Sequence, residues 1–370
     1  MFLARDKGLK MSTEHPPIGS SRDALDTPAL VIDLDRLESN MGRIVALCRQ
    51  HGVAWRPHSK GHKSSEIARR QVAAGALGVT CAKLGEAEVM ADAGIADILL
   101  TFNLLGRAKL HRLVALARRI RLSVTVDNAV VASELDAAMR EAGLRLPVLV
   151  ECDTGASRCG VQSPEEAVEL ARLIGGLGGL SFEGLMTYPA RGRVPVTAAW
   201  LEEAVAGLKT AGLEPRVVST GGTPDLYRAH EVGTATEHRP GTYIYHDRDQ
   251  LRASLGLDDC AMVVLTTVVS RPTDGRAILD AGSKTLSSDL NGLEGYGLIR
   301  EYPQLVLTAF SEEHGHVDCS ASNARPRIGE RVTVVPNHAC AVTNLHDVIY
   351  GVRGDRVERV FQVAARGRVQ

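Results

Sequence analysis

The run Pro57-His58-Ser59-Lys60-Gly61-His62-Lys63 gathers the groups of this 370-residue chain best suited to covalent chemistry. It follows a short apolar segment that ends at Arg56. A lysine desolvated there, and crowded by Arg56, His58, His62 and Lys63, would lose basicity. Its neutral amine could then condense with a carbonyl to form an imine. The same run also reads as a solvated basic loop, and its position alone does not choose.

Four other segments bear on that choice. Ser219-Thr220-Gly221-Gly222-Thr223 and Arg239-Pro240-Gly241-Thr242-Tyr243 each combine glycine with hydroxyl side chains. Glycine bares backbone N–H groups, and together with Ser or Thr hydroxyls these make an anion cradle. A lone Gly-Gly-Thr is ordinarily just a turn. Cys152-Asp153-Thr154-Gly155-Ala156-Ser157-Arg158-Cys159-Gly160-Val161 offers Arg158, which could donate to a pyridine nitrogen and keep it unprotonated. A surface arginine in a Gly-rich loop is the plainer alternative. In Pro336-Asn337-His338-Ala339-Cys340, His and Cys two apart on an extended chain would face one side. A borderline-soft divalent ion such as zinc suits that pair, with positions left open for substrate. A lone His-x-Cys is more often accidental. His346-Asp347 and Glu312-Glu313-His314 are either further ligands or ordinary polar loops.

Elements must position these groups. Between about residues 50 and 240, short apolar runs alternate with stretches of helical apolar spacing. The strands are expected at Val53–Arg56, Gly78–Cys81, Asp97–Thr101, Leu122–Val126, Val148–Cys152, Phe182–Tyr188, Val217–Thr220 and Ala235–His238. Helices are expected at Leu84–Ala93, Lys109–Arg119, Ala129–Ala142, Pro164–Leu173 and Thr197–Ala211, with Glu86 and Glu88 on or near a polar side. Eight such units predict an α/β fold, a (β/α)8 TIM-type barrel. After about residue 250 short β-like runs separated by turns predict a C-terminal, mostly β domain. The division read from this is a tail over 1–27, a barrel over 28–248 and a β domain over 249–370. Strand Ala29–Asp33 would be a ninth for the barrel and is open to joining the β domain. The first ten residues read as a start-site artefact or a disordered tail.

In a barrel, catalytic groups sit at the C-terminal ends of strands, and the loops after strands seven and eight commonly bind phosphate. Both Gly loops fall there, on the face that carries Lys60. Together they point to a phosphate-bearing aldehyde cofactor.

Composition narrows the partners. Lys+Arg 43 against Asp+Glu 44 gives a net charge of -1, so no general attraction to nucleic acid or anionic membranes is expected. No apolar run approaches a membrane span, and the N-terminus has no signal-peptide core. A small-molecule substrate is left. Seven scattered cysteines favour a reducing cytoplasm over a disulfide framework.

Taken together, the segments resemble the D-threonine aldolase and D-serine dehydratase family of fold-type III pyridoxal 5′-phosphate (PLP) enzymes, related to alanine racemase. The resemblance runs from Asp26-Thr27-Pro28-Ala29 to Ala364-Ala365-Arg366-Gly367. It implies Lys60 as the imine-forming lysine, Arg158 at the pyridine nitrogen, and His338 with Cys340 on a divalent metal (Zn, Mn or Mg). The cofactor pocket it implies also takes Tyr188, Ser219, Gly221, Gly222, Thr223, Gly241, Thr242 and Tyr243. A homodimer acting on a small amino acid is implied as well. His338-Ala339-Cys340 is similar to the dehydratase pattern, whereas Thr343-Asn344-Leu345-His346-Asp347 is closer to the aldolases. The histidine that family members usually place after the Tyr is absent from Thr187-Tyr188-Pro189-Ala190-Arg191.

Retro-aldol cleavage of a β-hydroxy D-amino acid to glycine and an aldehyde is the expected reaction. Dehydration of D-serine or 3-hydroxy-D-aspartate to a keto acid and ammonia is the alternative. A non-catalytic PLP-binding protein, or a racemase with no need of the metal pair, stands further off.

Overall fold

The computed structural model describes residues 15–253 and 255–370. Strand β1 (Ala29–Asp33) runs into helix α1 (Leu34–His51), and eight parallel strands follow. These are β2 (Ala54–Trp55), β3 (Val79–Cys81), β4 (Asp97–Leu100), β5 (Arg121–Val126), β6 (Leu146–Cys152), β7 (Leu180–Thr187), β8 (Val217–Thr220) and β9 (Glu237–His238). They pair in the order β2-β9-β8-β7-β6-β5-β4-β3. The ring closes where Leu77 N–H donates to Trp55 O at 2.9 Å and Thr80 N–H to Pro57 O at 2.8 Å. All eight expected strands are present.

Around them lie α2 (Ser65–Ala73), α3 (Leu84–Asp92), α4 (Arg107–Ala117), α5 (Ala129–Glu141), α6 (Pro164–Gly175) and α7 (Val194–Thr210). Local chemistry sets their starts. Asn128 caps α5 by accepting from Val131 N–H, and Ser163 caps α6 by accepting from Glu166 N–H, with Pro164 at its first position. Val131, Ala132, Leu135 and Met139 form the buried stripe of α5, a spacing of three to four residues that suits one helix face. One expectation fails here. Glu86 is buried rather than on a polar face, because its carboxylate caps α3 from Ala82 and Lys83 N–H and faces Lys63 Nζ at 3.4 Å.

The barrel interior is polar beneath its catalytic face. Arg56 lies between Glu237 (3.0 Å) and Asp97 (2.5 Å), Ser219 donates to Glu237, and Arg239 Nε donates to Ser219 Oγ at 2.7 Å. Period-two alternation explains this ladder, since Glu237 and Arg239 point inward while His238 between them points out. Every buried charge in it has a partner, as burial demands.

The C-terminal half folds into strands β10 (Met262–Thr273), β11 (Arg276–Leu279), β12 (Gly297–Ile299), β13 (Val306–Phe310), β14 (Gly315–Asp318), β15 (Arg331–Pro336), β16 (Val348–Arg353) and β17 (Arg356–Gln362). Strand β1 belongs to this sheet, antiparallel to β10 and parallel to β16. The expected tail is also partly structured. Gly19 N–H donates to Val357 O and Arg22 N–H to Asp355 O, so residues 15–27 are held against β17 and the turn before it, while 1–14 lie outside the described residues. Ala365 N–H to Lys63 O and Gly85 N–H to Gln370 O bind the β region back onto the barrel. No helix among the described residues is long and apolar enough to cross a membrane.

Candidate active site

A cavity of roughly 600 Å³ opens over the C-terminal ends of the barrel strands and is lined from both halves of the chain. Lys60, Tyr188, Gly222, Thr223, Gly241 and Thr242 line it from the barrel, and His338 and Cys340 from the β region. A second lobe of about 290 Å³, also lined by Lys60 and Tyr188, contains Arg158. Lys60 Nζ stands 5.9 Å from the centre of the Tyr188 ring, and Arg158 Cζ 5.1 Å from it.

Lys60 sits in the turn Ser59–Gly61, which is fixed by Ser59 Oγ donating to Thr80 O and by Lys60 N–H facing His58 Nδ1. Burial lowers the Lys60 pKa, Arg158 and Arg239 lower it further, and Cys340 and Glu86 oppose them. Loss of basicity was expected, but its cationic neighbours are different. Arg56 is engaged inside the barrel and Lys63 pairs with Glu86, so neither crowds the amine. His58 is held well below its ordinary pKa by burial and therefore stays neutral. Arg239 drops only to about 10, again by burial, and keeps its charge.

The two Gly loops fit a phosphate. Among the described residues no protein acceptor takes the N–H groups of Gly222, Thr223 or Gly241. Gly221 turns the chain at a φ of 94°. A Cβ added at Gly222 would stand 2.8 Å from the Tyr188 ring, and one at Gly241 3.2 Å from His58 Cβ. Orphan donors in a cradle too tight for side chains are what a small oxyanion needs.

Two other residues read from these motifs are turned elsewhere. Ser219 Oγ is spent on Glu237 and Arg239. Tyr243 is fully buried, its hydroxyl accepting from Gln71 Nε2 at 2.9 Å and its N–H donating to Thr223 Oγ1. They brace the loops from behind.

His338 and Cys340 do line one cavity, but not by strand alternation. Extended at φ -141°, ψ 97°, His338 immediately precedes the short helix Ala339–Thr343, and Cys340 lies in that helix's first turn. Cys340 Sγ is 3.5 Å from Thr242 Oγ1, over the Gly241-Thr242 loop. His338 Nδ1 lies 2.7 Å from Asp289 Oδ2, which leaves Nε2 for a metal. The Cys340 sulfur above all, then Asp289 and Asp247, push the His338 pKa up to about 9, so positive charge is favoured at this point. Nitrogen and sulfur donors in a cation-favouring spot fit a divalent metal with open positions. The described residues offer no group of three or more ligating side chains.

His346 contacts Thr285 O, Asp347 pairs with Arg366, and Glu312 and Glu313 pair with Lys284, so none of them joins this pair. Asp289→Asn is expected to weaken metal affinity about 10- to 100-fold, read by metal titration, because the carboxylate fixes the imidazole tautomer and orientation.

Sequence reasoning missed three residues that shape the site. Arg239 was quoted only as part of a loop, and Asp289 lies 49 residues from its partner. Asp247 is buried, its pKa raised to about 6 by that burial, and its Oδ2 accepts from Ala339 N–H between His338 and Cys340. Lone aspartates carry no local signal.

Comparison with known proteins places this geometry. Residues 32–249 match the family "Alanine racemase, N-terminal domain", and residues 261–352 match the serine dehydratase domain family. The chain is 36% identical to a D-threonine aldolase of Arthrobacter sp, over 95% of this chain and 96% of that one. It superposes on the crystal structure of D-threonine aldolase from Filomicrobium marinum with a TM-score of 0.90, at 36% identity over 96% of this chain and 99% of the other. A cysteine-to-alanine variant of a D-threo-3-hydroxyaspartate dehydratase, described as the metal-free form, superposes at a TM-score of 0.85. That match has 30% identity over 93% of this chain and 98% of the other. The chain is therefore a lyase belonging to the D-threonine aldolase and D-serine dehydratase family of fold-type III PLP enzymes.

Proposed function

We propose that the enzyme cleaves a β-hydroxy D-amino acid by a retro-aldol reaction, giving glycine and an aldehyde. One observation carries this reading: Lys60, the orphan N–H groups of the Gly loops, and the His338–Cys340 pair all face one cavity. Lys60 would hold PLP through its amine, with phosphate on the N–H groups of Gly222, Thr223 and Gly241. Bound PLP supplies an electron sink for charge developing on the carbon beside the amino group. Arg158, a permanent donor, would keep the pyridine nitrogen unprotonated and restrain that sink. His338 and Cys340 would hold a divalent metal, which lowers the pKa of a hydroxyl bound to it. Lys60, with its basicity lowered by burial, would be the group to hold or move a proton at the substrate Cα. Tyr188 walls the cavity between Lys60 and Arg158.

Retro-aldol cleavage is preferred on the likeness to D-threonine aldolases over nearly the full length. The second reading, dehydration, is favoured by His338-Ala339-Cys340, which is similar to the dehydratase pattern, and by the superposition on a D-threo-3-hydroxyaspartate dehydratase. The two differ in their products. Incubation with D-threonine should yield acetaldehyde and glycine; 2-oxobutanoate and ammonia would instead support dehydration. No turnover of any β-hydroxy D-amino acid, with PLP bound, would sink both.

The reading includes a homodimer, checked by a solution mass near twice 39.6 kDa. It also includes a reducing, cytoplasmic setting, in keeping with seven free cysteines.

A further inference from the structure

We infer that Arg191 is a specificity-determining residue, selecting substrates that carry a second carboxylate on the β-carbon. The inference rests on the lyase reading above and names its substrate class.

The order of groups along the cavity carries it. At the inner end, a Cβ on Gly61, next to Lys60, would stand 3.5 Å from Cys340 Sγ, and Thr242 Oγ1 lies equally close to that sulfur. Cys340 thus packs against the turn that carries Lys60. The other member of the pair, His338, adjoins a different segment. Arg248 N–H donates to Pro336 O at 2.9 Å and Asp249 N–H to Asn337 O at 3.3 Å, so residues 248–249 run beside the chain entering His338. Asp249 there grips Arg191 in a two-pronged pair, Nη1–Oδ1 at 3.2 Å and Nη2–Oδ2 at 2.5 Å. Arg252 approaches the same carboxylate at 3.6 Å and spends another N–H on Asn291 O. Arg191, Asp249, Arg252 and Asn291 all line the cavity. A substrate with its amine at Lys60 and its hydroxyl at the metal pair would therefore turn its remaining β-substituent toward Arg191 and Arg252.

A methyl group gains nothing from such a neighbour, whereas a carboxylate gains charge-assisted hydrogen bonds. Asp249 uses two of the five N–H donors of Arg191, leaving three. The side chain is also held in place at its base. Gly192, at a φ of 72°, makes the turn after it, and Asp225 Oδ2 accepts the Gly192 N–H at 2.7 Å. Little ordering cost is left for binding.

The test compares kcat/KM for 3-hydroxy-D-aspartate and D-threonine in the holoenzyme and its Arg191→Gln variant. Calorimetric binding of succinate against butyrate is measured on both proteins. The parent should favour the dicarboxylate, and Arg191→Gln should cut the ratio of the two kcat/KM values roughly 30-fold. Arg191→Lys should recover part of it, and the preference for succinate should vanish in Arg191→Gln. An equal fall for both substrates would overturn the inference, because Arg191 would then serve the α-carboxylate or the fold. A parent enzyme that favours D-threonine would overturn it too. Absence of turnover with both substrates, with the succinate preference intact, would remove the lyase reading and keep the carboxylate subsite.

Discussion

Lys60→Ala is expected to abolish the visible absorption band of the bound cofactor and to lower turnover by roughly four orders of magnitude. The amine sits in a turn fixed by Ser59, His58 and Thr80, so removing it leaves the backbone of the site in place. Added small amines should restore part of the activity, a rescue that a merely structural lysine would not show. Stability should move the other way. Burial lowers the Lys60 pKa in the folded state, so between that value and the ordinary 10.5 the unfolded chain binds more protons. Stability of the cofactor-free protein should therefore rise with pH across that window. Lys60→Met should flatten this rise and melt higher at neutral pH. A variant that retains the band would remove Lys60 from the site.

Removing the metal pair should produce a different loss. Chelation, His338→Ala or Cys340→Ala is expected to cut turnover about 100- to 1,000-fold while the cofactor band survives. Added divalent metal should restore the chelated enzyme but not the variants. His338 and Cys340 reach the cavity from the β region, whereas Lys60 and the Gly loops come from the barrel, and this separation would allow one loss without the other. Full activity in the presence of chelator would exclude His338 and Cys340 from the chemistry.

Much of the barrel was legible because its strands are buried on both faces and read as mostly apolar runs such as Val148–Cys152, where only Glu151 breaks the pattern. Helix α1 was not read. Its buried stripe of Leu34, Leu37, Ile44 and Cys48 includes a polar Asn40, whose amide donates to Ile244 O and Asp259 O more than 200 residues away. Glu86 was misplaced for a similar reason, since its burial depends on Lys63, which local pattern cannot pair with it. In the site, Lys60 and the two Gly loops announced themselves through residue type and position at strand ends. His338 and Cys340 were found by a spacing rule that the chain does not obey, because a helix begins between them. Ser219 and Tyr243 lie in the two Gly loops, but their side chains are spent on Glu237, Arg239 and Gln71. A motif names a loop; only the partners of each side chain say which way it faces.

Strand β1 is hydrogen-bonded to β10 on one edge and to β16 on the other, so about 230 residues of barrel separate it from its first partner strand. During synthesis at about 5–20 residues per second, this strand leaves the ribosome tens of seconds before β16 exists. Its neighbour Val31-Ile32 edge must stay unpaired for all of that time, as an apolar β-forming segment able to pair with another chain. The barrel is in effect an insertion inside the β sheet. A fragment beginning near residue 249 would lack the strand that joins β10 to β16 in its own sheet, and co-expression with a peptide spanning 15–33 is the arrangement that should return it to solution.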